Sequence, residues 1–286
     1  GNNGIFSSYL EILGILNELE KISIPMSIDL GFYFNELYHK SETEKYNFWD
    51  SYFLQPHDID KLKRYPINNF PKLFLDFKTS RNLFDVNQLI SFSKLSKRYL
   101  RLNQETNDFV NNKLLNLFNK DDEVIGVNIR ENFTIGRPKN HPIQPDIMMI
   151  KEDIDKILQT HKVNKIFVAS DNFEQIEILI RKYGKMIVYI ERPRIGDKRY
   201  KNNIKNKTYT HRSAQQIKNN EAMLLEIADF GRLNEIEEKT KEYISEIYGL
   251  ARCQHLVAGV TSGSSASVII NGGRYKTIKF YNLGLY

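Results

Sequence analysis

From residue 123 onward, two kinds of hydrophobic pattern take turns. Short continuous apolar runs, EVIGVNIR (123–130), KIFVAS (165–170), KMIVYI (185–190), HLVAGV (255–260) and KTIKFYN (276–282), predict strands buried on both faces. Between them, apolar residues recur at helical spacing in EDIDKILQTH (152–161), NFEQIEILIRKYG (172–184), AMLLEIADF (222–230), NEIEEKTKEYISEIYGLARC (234–253) and SGSSASVIING (262–272). Strictly alternating strands and helices predict a parallel, doubly wound α/β sheet. The polar stretch 191–213 reads as a long surface loop.

The first half has a less regular pattern. IFSSYLEILGILNELEK (5–21) carries a wide apolar face at helical spacing, and IPMSIDL (24–30) reads as a short strand. Residues 32–80 are aromatic-rich and irregular, with NFPKLFLDF (69–77) as a second strand. VNQLISFSKLSKRYLRL (86–102) and NDFVNNKLLNLF (107–118) read as helices. A glycine-rich opening, Gly1-Asn2-Asn3-Gly4, leads directly into a helix. Such a loop normally follows a strand, so a first strand is expected upstream of residue 1. The acidic residues of NKDDE set the expected domain boundary, giving units 1–120 and 121–286.

Composition narrows the classes. With 286 residues and 41% apolar content, the chain can bury a core without staples. The one cysteine, Cys253, allows no internal disulfide and reads as a small core residue; a reducing compartment, hence the cytoplasm, is expected. No Cys/His cluster has metal-ligand spacing, and no apolar run reaches the ~18 residues that span a bilayer. The net charge of +6 is spread along the chain beside Glu and Asn, which predicts a solvated basic surface and no nucleic-acid partner. That surface also suits peripheral contact with an anionic membrane.

In an open α/β sheet, ligands bind beyond the carboxyl ends of the strands. Three of those ends are polar. The first strand ends in Asn128 and Arg130, which share one side. The second ends in Ser170-Asp171. The fourth leads through Thr261 into Ser262, Gly263, Ser264 and Ser265 at a helix start. That helix start offers unpaired backbone N–H groups and a positive dipole end to a phosphate, and an arginine can fork onto phosphate oxygens. Taken singly, the serines also read as a helix cap, Arg130 as a surface charge and Asp171 as a cap. Their shared position at one end of one sheet favours a diphosphate site.

GVNIRENF, HPIQP, KIFVASDN and YISEIYGLARCQHLVAGVTSGSS, in that order, resemble the motifs of the fucosyltransferase superfamily over about residues 84–275. Those motifs are His-x-Arg after a strand, a strand ending in Ala-Thr/Ser-Asp, a helix carrying Asp, and a Ser-Ser helix start. The Gly1–Gly4 opening is similar to the family's glycine-rich first loop, which faces the acceptor. The resemblance implies a GT-B fold: two Rossmann-like domains whose parallel sheets face each other across a cleft. It implies inverting, metal-independent transfer from GDP-fucose to a glycan acceptor, without a cofactor, in work such as polysaccharide biosynthesis. By position it implies that Arg130 grips the β-phosphate, Asn128 lies near guanine, Glu246 reads the guanine edge, Asp171 is the acid after the second strand, and Ser262 contacts the diphosphate.

The sequence departs from the family at two points. Asn128 replaces a histidine, and Glu131-Asn132-Phe133 replaces Arg/Gly-x-Asp. An inverting transfer needs a base for the acceptor proton, which leaves Glu131 and His141 as candidates; His141 also reads as a loop-packing residue. Arg192, Arg194, Arg199, His211 and Arg212 read either as a cover for the donor phosphates or as a solvated loop. Glu246 reads either as the base-reading carboxylate or as a solvated helix residue. A non-catalytic sugar- or nucleotide-binding relative, and a transferase with another nucleotide sugar, are the alternative readings. Acceptor sugars are expected near Gly1–Ser7 and the aromatic residues around Tyr46–Phe53.

Overall fold

The computed structural model describes residues 5–21, 23, 25–28, 47–58, 85–119, 121–130, 142–194, 196–197 and 233–285. Four helices precede the sheet: α1 (Ile5–Lys21), α2 (Val86–Ser91), α3 (Ser93–Tyr99) and α4 (Gln104–Leu115). Then follow β1 (Val124–Ile129), α5 (Ile147–Thr160), β2 (Lys165–Ser170), α6 (Phe173–Tyr183) and β3 (Ile187–Val188). The chain closes with α7 (Leu233–Arg252), β4 (His255–Gly259), α8 (Ser262–Asn271) and β5 (Thr277–Tyr281). The five strands form one sheet in the order β3-β2-β1-β4-β5. Every pair is parallel, with Asn128 level with Ala169 on one side and Ala258 on the other.

The continuous apolar runs are strands because both sheet faces are covered. On one face, Ile125, Val127 and Val168 pack with Ile150, Ile154 and Ile176 of α5 and α6. On the other, Val124, Phe167 and Leu256 pack with Ile244, Leu250 and Val268 of α7 and α8. Gly249 allows this second layer to sit close: a Cβ there would lie 2.6 Å from the Phe167 ring. Cys253 is buried beside it, its thiol pushed well up by burial, as expected of a core residue.

Helices α1–α4 share that second core. Phe6, Tyr9 and Leu13 of α1, and Leu89 and Leu95 of α2 and α3, lie in one buried cluster with Ile269 of α8 and Leu250 of α7. The described part of residues 1–120 therefore has its apolar faces against the C-terminal sheet layer. The aromatic stretch belongs to this core too. Phe48, Trp49, Tyr52 and Phe53 are buried, with Trp49 stacked on Phe53 at 4.3 Å between centroids, so these rings offer no face to an acceptor sugar.

Three expected elements differ. Residues 25–28, read as part of a strand, pair with side chains instead of a neighbouring strand. Ile28 N donates to Gln55 Oε1 at 2.8 Å, Gln55 Nε2 returns a bond to Ile28 O at 2.8 Å, and Met26 N donates to His57 Nδ1 at 3.1 Å. The helix expected over 86–102 is broken at Phe92, and its two parts fold over the turn ending α8, where Ser93 meets Gly272 and Ile90 meets Gly273. Strand β3 is shorter than 185–190 because Gly184–Met186 form a 3-10 turn and the chain leaves this edge after Val188. The helix over 222–230 and the strand over 69–77 lie outside the described residues.

Candidate functional site

Strand order reverses between β1 and β4, since the chain moves from β1 to β2 and β3 on one side, then to β4 and β5 on the other. The carboxyl ends of strands flanking such a reversal leave a crevice. Arg130 leaves β1 there, and Thr261 leaves β4 beside it. Asn128 Nδ2 lies 3.4 Å from Thr261 Oγ1, which ties the two strand ends together.

The start of α8 divides its labour. Thr261 and Ser264 form a reciprocal cap: Ser264 N donates to Thr261 Oγ1 at 3.0 Å, and Thr261 N donates to Ser264 Oγ at 2.9 Å. Ser264 Oγ also donates to Gly259 O at 2.7 Å, and Ser265 N bonds back to Thr261 O at 3.0 Å. Ser264 and Ser265 are buried. The amides of Ser262 and Gly263 remain the open donors of the helix start among the described residues.

Tyr243 of α7 packs over the helix start. A Cβ on Gly263 would lie 2.7 Å from the Tyr243 hydroxyl and 2.8 Å from Ile247 Cδ1, so only glycine allows α7 this approach. Burial pushes the Tyr243 hydroxyl up to about 12, and the Arg130 charge pulls against it. Glu246, Arg192 and Asp171 act on the same hydroxyl. Arg130 and the start of α8 thus lie on the same side of the sheet. Sequence reasoning missed Tyr243; its one signal was helical spacing, a turn ahead of Glu246 on α7.

Glu246 is neither a solvated helix residue nor an open carboxylate. It is 1% exposed and held by two arginines from the segment after β3. Arg192 forks onto it, Nε to Oε1 and Nη2 to Oε2 at 3.0 Å each, and Arg194 Nη2 reaches Oε1 at 2.6 Å. Arg194, with a fully buried side chain, also donates to Ser170 O at 2.9 Å, Arg192 O at 3.1 Å and Ile190 O at 2.7 Å. The expected surface loop therefore begins with two arginines turned inward, because β3 ends early and carries them over the ends of β2 and α7. A buried carboxylate is stable only when paired in this way.

Asp171 is not the cap of α6. Asn172 fills that role, its Oδ1 accepting from Glu174 N at 2.8 Å, while the Asp171 charge acts on Arg192 and Tyr243. Glu131, His141, Gly1, Asn2, Asn3 and Gly4 lie outside the described residues, as do Arg199, His211 and Arg212. Among the described residues no group of His, Cys, Asp or Glu side chains could hold a metal ion, and no helix is long and apolar enough to cross a membrane.

No family model matches the chain, and no curated protein matches it in sequence. Solved structures do. Fucosyltransferase NodZ from Bradyrhizobium superposes with a TM-score of 0.53 at 12% identity, over 99% of this chain and 94% of that one. The chain has a fucosyltransferase fold. NodZ α-1,6-fucosyltransferase co-crystallized with GDP gives a TM-score of 0.52 at 12% identity, over 98% and 92% of the two chains. The same enzyme soaked with GDP-fucose gives 0.50 at 11% identity, over 93% and 89%. The fucosyltransferase fold is the α/β, GT-B architecture that the motif order implied.

Proposed function

We propose that this protein is a glycosyltransferase that moves a sugar, fucose in the favoured case, from a GDP-sugar to a glycan acceptor, with inversion and without a metal. The observation that supports the reading is the tie between the end of β1, which runs on into Arg130, and the start of α8 at the strand-order reversal: Asn128 Nδ2 lies 3.4 Å from Thr261 Oγ1, and the Arg130 charge acts on the Tyr243 hydroxyl that packs over Gly263. These groups suit a leaving group whose negative charge grows as the sugar–phosphate bond breaks. Arg130 supplies a fixed positive charge, and the helix start supplies preoriented amide donors. The bond from the sugar's anomeric carbon to the β-phosphate oxygen breaks, a bond to the acceptor hydroxyl forms, and the acceptor proton passes to Glu131 or His141. Asn128 and Asp171 line the same strand ends and complete the donor pocket.

In this reading residues 121–286 hold the donor and residues 1–120 form the acceptor-side domain, with Gly1, Asn2, Asn3 and Gly4 at the acceptor. The enzyme works in the cytoplasm, peripherally on the membrane, in the assembly of a surface polysaccharide. The test combines donor hydrolysis with one substitution. Purified protein should release GDP from GDP-fucose when offered trial acceptors, and Arg130→Ala should lower kcat by about 10²–10³-fold, the usual loss for one donor to a developing oxyanion. GDP-fucose binding without GDP release under any acceptor, and no difference between wild type and Arg130→Ala beyond affinity, would identify a non-catalytic binding protein instead.

A further inference from the structure

The position that the family motif assigns to reading the nucleobase is already occupied in this chain by its own arginines. Glu246 uses Oε1 for Arg192 Nε and Arg194 Nη2, and Oε2 for Arg192 Nη2. To accept from a base edge, the carboxylate would first have to give up a buried, charge-assisted fork, which is costly. The three side chains are not equally enclosed. Glu246 and Arg194 are sealed, at 2% and 0% side-chain exposure, whereas Arg192 keeps 17%.

Arg192 is also the member with donor capacity to spare. Its Nε and Nη2 face Glu246, and Nη2 also reaches Ser170 O at 3.3 Å. Among the described residues its Nη1 makes only a 3.5 Å contact with Pro193 O. A guanidinium has five N–H donors in a fixed plane, so a fork held by Glu246 presents the Nη1 edge in a set direction. The Arg192 charge falls on the Tyr243 hydroxyl, as the Arg130 charge does, and that hydroxyl lies against Gly263. The charges of Asp171 and Glu242 also act on Arg192.

We propose that Arg192 is a second arginine ligand for the donor's diphosphate, and that Glu246 is the residue that positions it, not a reader of the base. The proposal rests on the nucleotide-sugar reading above and assigns a different task to one carboxylate of that site. It makes the contribution of this cluster independent of the base, because both GDP and UDP present the same diphosphate.

The experiment is calorimetric titration of the full chain with GDP, UDP and GMP, using wild type, Arg192→Lys and Glu246→Gln, each checked for folding by circular dichroism. The expected result is that Arg192→Lys weakens GDP and UDP together, by about tenfold, the effect of one charge-assisted contact, and weakens GMP less. Glu246→Gln should follow the same pattern and leave the ratio of GDP to UDP affinity unchanged. A Glu246→Gln protein that loses its preference for GDP over UDP, beside an Arg192→Lys protein that binds all three as wild type does, would overturn the proposal and return Glu246 to the base. If Glu246→Gln does not fold, Arg192→Lys decides alone, and unchanged GDP binding refutes it. Wild type that binds no nucleotide of the three would defeat the nucleotide-sugar reading itself, an outcome separate from the other two.

Discussion

Gly263 is a residue at which the site has little room. Its Cα lies under the Tyr243 hydroxyl and Ile247, so Gly263→Ala places a methyl group 2.7 Å and 2.8 Å from them. The expected cost is about 1–3 kcal/mol of stability, from overpacking, and a weaker hold on nucleoside diphosphate as the start of α8 shifts. Chemical denaturation and calorimetry check both; a variant as stable as wild type would mean that Tyr243 moves aside freely. At the opposite end of the sheet, His255 is fully buried, with Nε2 3.0 Å from Glu123 Oε1 and the His161 ring 4.4 Å away. Burial lowers its proton affinity more than Glu123 raises it. The unfolded state therefore binds the proton first, and the stability His255 contributes is present above about pH 6.5 and lost as the pH falls below it. Urea midpoints at pH 7.5 and 5.5 should drop less for His255→Gln than for wild type. Equal drops would show that His255 does not carry the acid sensitivity in this window; Glu123 and Asp122, which Lys276 and Lys165 hold below the usual carboxylate range, lose their contribution only at lower pH.

Among the elements, α8 joins the site to the core. Its reciprocal cap satisfies the amide of Ser264, so the cap reading of the serine run holds for Thr261 and Ser264, and the proposed anion site draws on the amides of Ser262 and Gly263, which the cap does not use. Thr261→Ala removes the acceptor for Ser264 N and the partner of Asn128. It should cost about 1 kcal/mol, typical of a lost N-cap, without changing the strand order. A melting curve unchanged by this substitution would show that Ser264 holds the turn alone. Helices α6 and α8 were legible in the sequence because periodicity and cap residues agree there, as with Asn172, whose side chain accepts from a first-turn amide. Helix α5 was legible in its body, but it starts at Ile147, after the Asp146 cap, five residues before the expected Glu152. The break at Phe92 was not, since Phe92 fits a helical pattern and itself keeps helical φ and ψ.

At the scale of the whole molecule, the described helices of the first half and the C-terminal sheet share one apolar layer. Leu13 of α1 is buried in the same cluster as Ile269 of α8. Leu13→Ala should therefore cost about 2–5 kcal/mol and shift a single unfolding transition. Two separated transitions, with only the first displaced, would favour independent units divided near residue 120.

Short-range pattern determined much of this protein. Continuous apolar runs, helical spacing and polar strand ends are properties of neighbouring residues, and from them came the parallel sheet, Arg130 and the start of α8. Only the tertiary structure decided which groups meet across distant segments. Arg192 and Arg194 are separated from Glu246 by 54 and 52 positions. Nothing in a run of Lys, Arg and Asn distinguishes an inward guanidinium from a solvated one, because that depends on where β3 ends and what lies beneath. Tyr243 becomes a site residue for the same reason: a glycine on another helix leaves it room. The aromatic stretch at 48–53, plausible as a sugar platform on composition, is core because the helices that cover it come from sequence far on either side.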